Sequence, residues 1–115
     1  NTCVVIPSEP FPISATDLYQ VFETSDLPAG VVNLVTAKHS DVAETLAGHM
    51  EIDAKWYFGS GGLSPLIEKA SAGNLKRTWV NRGKSIDWND SQQAEGKMFL
   101  RQATEVKNIW IPYGE

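Results

Sequence analysis

Short, largely apolar runs recur along the chain at residues 3–6, 31–36, 54–58 and 77–80. Each has the length of a strand, and none alternates cleanly between apolar and polar residues. Runs of this kind suit strands covered on both faces, as in a parallel sheet. The segments between them carry a different period. Ala15, Leu18, Tyr19 and Phe22 fall at i, i+3, i+4 and i+7; Ala43, Leu46, Ala47 and Met50 repeat the spacing, as do Leu63, Leu66, Ile67 and Ala70. That is the stripe of an amphipathic helix resting on a sheet. Strand and helix therefore alternate from residue 3 to residue 80. With right-handed crossovers the order predicts an α/β fold, a parallel sheet with flanking helices.

Local start and stop signals agree with this order. Ser14 with Asp17, and Asp41 with Glu44, have the three-residue spacing of helix N-termini. Pro12 and Pro28 fall in connections, and Gly73 reads as the stop of the third helix. From residue 87 to about 97 polar and turn residues take over, predicting a linker. Residues 98–115 then regain strand character, with Val106, Ile109, Trp110 and Ile111 in a β-prone stretch. The expected layout is one domain over 1–86, a linker over 87–97 and a C-terminal β arm over 98–115.

A formal charge of -4 leaves no basic excess to neutralise phosphates, which argues against nucleic-acid and anionic-membrane partners. No apolar run approaches the ~20 residues of a membrane span. A single cysteine, Cys3, excludes an intrachain disulfide and fits a reducing cytoplasm. The chain opens without a methionine and runs straight into a strand, so it reads as a piece of a longer polypeptide.

Several local motifs resemble the aldehyde dehydrogenase superfamily. Residues 1–9, ending Ile6-Pro7-Ser8-Glu9, resemble the family's strand closing in Lys-Pro-Ser/Ala-Glu. Leu27-Pro28-Ala29-Gly30-Val31-Val32-Asn33-Leu34-Val35-Thr36 is similar to its LPxGVVNxVTG segment, and Tyr57-Phe58-Gly59-Ser60 to its FTGS turn. Ala72 to Arg77 resembles the approach to LELGGKS, of which Arg82-Gly83-Lys84-Ser85 resembles the end. Past residue 85 the likeness to the catalytic domain stops, and Thr104-Glu105-Val106-Lys107 resembles the late strand of the family's subunit-joining arm. This arrangement is similar to the degenerate second unit of tandem-type members. The resemblance implies a Rossmann-like remnant of the NAD-binding domain. It also implies NAD(P) as the cofactor of the parent enzyme, the remainder of that chain as a partner, and a homo-oligomer joined through the tail strand.

Aldehyde oxidation needs a thiolate nucleophile, a base and a hydride acceptor. Cys3 heads a run expected to be buried, where a thiol is a poor nucleophile. The family's base, the Glu of LELGGKS, aligns with Val80, which cannot move a proton. No catalytic residue is assigned, and the expected role is a non-catalytic structural and assembly domain. The candidate cofactor residues, carried over from the resemblance, are Glu9 for the ribose and Gly59 and Ser60 for the pyrophosphate. Here Ile6 replaces the family's ribose-side Lys, and Ser64, followed by Pro65, replaces its second turn glycine. The expectation is that the chain alone binds no cofactor; the alternative is a residual NAD(P)-binding module. His39 and His49 lack a second ligand at metal spacing, so no metal site is expected. Lys76, Arg77, Arg82 and Lys84 read as a solvated strand end. Trp56 and Trp79 read as core, and Trp110 as a residue of the exposed arm.

Overall fold

The computed structural model describes residues 1–114, and its backbone clusters into two compact units, one spanning Asn1–Leu46 and the other starting at Ala47. The first unit opens with β1 (Cys3–Val5), continues through α1 (Ile13–Glu23), and returns to β2 (Val32–Leu34). β1 and β2 pair in parallel with Val4 opposite Asn33. The ladder is closed by the Cys3 N–H donating to Val31 O at 2.8 Å and the Val35 N–H donating to Val5 O at 3.0 Å. α2 (His39–Gly48) follows and spans the boundary between the units. In the second unit β3 (Ala54–Tyr57) and β4 (Arg77–Val80) form a second parallel pair, joined through α3 (Ser64–Ser71), which packs on β4. Two short helices follow, α4 (Ser91–Ala94) and α5 (Lys97–Ala103).

The alternation of strands and helices is as the apolar patterning predicts, and so is the parallel pairing. The sheet differs: the strands form two two-stranded sheets rather than one. A two-stranded ladder cannot cover its own faces, which corrects a second expectation. All three residues of β1 are exposed, Val4 by 53%, and Cys3 is exposed rather than buried. The buried apolar side chains among the described residues include Ala43, Ala47, Tyr57 and Ile67.

Helix ends also depart from the sequence reading. α1 starts at Ile13, so Ser14 lies inside it, and Pro12 takes the cap position without a side-chain bond. Its inward stripe keeps Ala15, Tyr19 and Phe22, but Leu18 faces outward at 51% exposure. Asp41 lies in the first turn of α2 instead of capping it. Gly73 sits within a short 3-10 turn, Ala72–Asn74, and the chain leaves that turn through Leu75 in the left-handed region, φ 56°. The stretch from Met98 is the largest correction. It is helical through Ala103, and Thr104 to Gly114 forms neither helix nor strand. Lys97-Met98-Phe99-Leu100-Arg101-Gln102-Ala103 is composed mainly of strong helix formers, and that propensity prevails over the β-prone residues downstream. Residues 87–97, read as a linker, contain α4, capped by Asp90 accepting from the Gln92 N–H.

Candidate functional site

Glu9 stands in the connection after β1, in the first unit. Its carboxylate accepts the backbone N–H of His39 at 2.7 Å, the first residue of α2. The same helix start places His39 Nε2 3.0 Å from Pro7 O, and His39 Nδ1 4.0 Å from Glu9. A carboxylate at a helix N-terminus satisfies a donor that has no partner within the helix and meets the positive end of the dipole. Glu9 is thus already serving as an acceptor in the fold.

Gly59 and Ser60 lie in the second unit, in the turn leaving β3. A Cβ on Gly59 would overlap the Tyr57 ring, with the hydroxyl oxygen nearest. That hydroxyl donates to Ser60 O at 3.1 Å, so one side chain both requires the glycine and clasps the next carbonyl. Two residues on, a Cβ on Gly61 would stand 3.1 Å from Arg82 O, and one on Gly83 would stand 3.1 Å from Gly61 N. Gly83 also has φ +78°, a conformation that favours glycine. The glycines let the turn after β3 lie against the turn after β4.

A pyrophosphate at such a turn would need free backbone donors at the head of α3. Two of the donors at that helix start are not offered to one. Ser64 N–H is spent on Gly61 O in a 3-10 turn, and Pro65 has no N–H to offer. Ser64 Oγ is buried and makes no hydrogen bond among the described residues. Val80, aligned with the family's base, is half-buried at the end of β4 opposite Tyr57.

One grouping was not read from the sequence. Trp56 and Trp79 are register partners with ring centroids 5.1 Å apart, and Phe58 stands 4.9 Å from Trp79. Trp88 and Phe99 join them, at 5.3 Å from Phe58 and 5.0 Å from Trp79. The spacing of Trp56 and Phe58 at i and i+2 placed both on one face; nothing in the sequence showed what covers it. Beside this, the Lys55 ammonium is pushed down in pKa by burial first and by the charge of Lys76 second. Lys76, only 8% exposed, donates to His49 O at 2.6 Å, and burial lowers its pKa while Asp53 opposes the shift.

Residues 1–85 match the aldehyde dehydrogenase family. The chain belongs to that family. It is similar to the NADP/NAD-dependent aldehyde dehydrogenase PuuC of Escherichia coli, 34% identical over 84 residues. It is also similar to aldehyde dehydrogenase, cytosolic 1, of Rattus norvegicus, 33% identical over 84 residues. In each comparison the matched part is 72% of this chain and 17% of the relative. An aldehyde dehydrogenase structure from Bartonella henselae superposes with a TM-score of 0.65 at 30% identity, over 69% of this chain and 17% of that one. The chain therefore spans about a sixth of the length of these aldehyde dehydrogenases. Among the described residues no helix is long and apolar enough to cross a membrane, and no His, Cys, Asp and Glu group could hold a metal.

Proposed function

We propose that this chain is a non-catalytic structural and assembly module of an aldehyde dehydrogenase whose whole protein oxidises an aldehyde with NAD(P). In this reading residues 1–86 are a Rossmann-like remnant, 87–97 a connector, and 98–115 carry the interaction arm. One observation carries the assembly role: Val106, Ile109, Trp110 and Ile111 are each between 74% and 91% exposed. An extended apolar segment of this kind invites pairing with another chain, and adding itself as a strand to a partner sheet would cover it. The partner is the remainder of the aldehyde dehydrogenase or a second copy. A cytoplasmic setting is supported by the lone cysteine and by the cytosolic rat relative.

Absence of chemistry in this stretch is supported by Val80 at the base position and by Cys3 as the one thiol in the sequence. The competing reading is a residual NAD(P)-binding module at Glu9, Gly59 and Ser60. The strand–Gly59-Ser60 turn–helix layout between β3 and α3 favours it; the engaged Glu9 and the donor-poor start of α3 oppose it.

Light scattering after size exclusion, on the full chain and on a version ending at Glu105, tests the arm. The full chain should elute at a higher mass than the shortened one, and equal monomeric masses remove the assembly role. Calorimetric titration with NAD and NADP decides the competing reading, which fails if millimolar ligand produces neither heat nor a thermal shift.

A further inference from the structure

Strand alternation puts Trp56, Phe58, Arg77 and Trp79 on one face of the β3–β4 pair, with Tyr57 on the other. All of these lie within the residues that match the aldehyde dehydrogenase family. The groups that cover the aromatic face do not. Trp88 and Phe99 follow residue 85, where the family match ends, and they stand 6.3 Å from each other across the cluster. Phe99 reaches both strands, at 5.0 Å from Trp79 and 6.1 Å from Trp56. On the same face Arg77 Nη1 stands 3.3 Å from Glu105 Oε2 as an ion pair.

We infer that residues 87–105 are an intrachain strap, which closes the aromatic face of β3–β4 with Trp88 and Phe99 and is pinned at its end by Glu105 on Arg77. The local structure of the segment serves this placement. Asp87 accepts the Asn89 N–H at 3.0 Å and Asp90 caps α4, so Trp88 is held between two polar turns and its ring is directed onto Phe58. α5 then presents Phe99. Bare, the sheet would expose three aromatic rings on one side; closed, the second unit supplies its own second layer from outside the family-matched residues. The strap also sets the root of the tail, because the exposed run from Val106 begins one residue beyond its last anchor. Its closure does not depend on the arm having a partner.

Limited trypsin digestion of the full chain and its variants tests this, because cleavage at Lys97 and Arg101 reports the strap and cleavage at Lys38 reports the first unit. Local opening raises cleavage at Lys97 and Arg101 without raising it at Lys38 when opening and reclosing are fast relative to cleavage. Phe99→Ala should speed cleavage at Lys97 and Arg101 at least about tenfold, leave Lys38 within about twofold of the parent, and weaken the near-ultraviolet circular dichroism of the clustered indoles. Unchanged rates at Lys97 and Arg101 overturn the strap. If Phe99→Ala speeds all three sites together, Phe99→Leu decides, since it keeps apolar volume and removes the ring. A faster cut confined to Lys97 and Arg101 supports the strap, and a digestion pattern identical to the parent overturns it.

Discussion

The Glu9 carboxylate accepts the His39 N–H at 2.7 Å, tying the connection after β1 to the first residue of α2. A residue that resembles the family's ribose ligand is here a helix-capping acceptor. Glu9→Ala should lower the stability of the chain by about 1 kcal/mol, the usual cost of losing an N-terminal cap, with Glu9→Gln falling between it and the parent. Urea unfolding monitored at 222 nm reads this directly; equal midpoints for Glu9→Ala and the parent would remove the capping role.

Gly59 and Tyr57 make a second coupled pair, because any Cβ at Gly59 meets the Tyr57 ring. Gly59→Ala is expected to cost roughly 1–3 kcal/mol by overpacking. Gly62 is the control: nothing lies within 4 Å of a Cβ there. Gly62→Ala should fall within about 0.5 kcal/mol of the parent, like other unencumbered surface changes. Similar losses at the two glycines would mean that the clash with Tyr57 is not the cause.

Leu75 holds a left-handed backbone with φ 56° while 89% exposed, so its side chain contributes little burial to offset the strain. Leu75→Gly removes the Cβ penalty but adds freedom to the unfolded chain, and the first effect is larger. A gain of about 0.5 kcal/mol in stability is expected. Thermal unfolding checks it, and a lower midpoint for the glycine variant contradicts the strain.

The lowered pKa of Lys55, due to burial and then to Lys76, has a defined sign in the pH dependence of stability. The unfolded lysine keeps its proton to a higher pH than the folded one. Between the lowered folded value and the ordinary 10.5, the unfolded chain therefore binds more protons, and stability rises with pH. Lys55→Met should flatten that rise and increase stability near neutral pH. Urea midpoints followed from about pH 7 to about pH 10 compare the two chains, and parallel curves would contradict the assignment.

Much of the element order was legible from patterning alone. The apolar runs located β1 through β4 to within two residues at each end, and the i, i+3, i+4 stripes located three helices. Their boundaries were less legible, because Ser14 and Asp41 have the chemistry of caps but lie one to two residues inside the helices they were expected to begin. The candidate cofactor residues were visible as motif matches; their local roles were not. Whether Glu9 faces a ligand or the His39 N–H depends on residues thirty positions apart meeting in space, and one strand's motif carries no such information. Gly59 similarly reads as phosphate-friendly until the Tyr57 ring is seen beside it.

By itself the sequence determined which segments could be strand or helix, the parallel sense of their pairing, and the family to which residues 1–85 belong. Those follow from local periodicity and short motifs, which each segment carries within itself. Tertiary structure alone decided which faces are covered. A continuous apolar run has no record of its neighbours, so β1 could be exposed with Cys3 at its start, while Phe58 and Trp79 gained a cover from Trp88 and Phe99. The conformation of residues 97–103 was also decided jointly. Helix propensity made α5 available, and the ring of Phe99 against Trp79 gave that helix a place to dock.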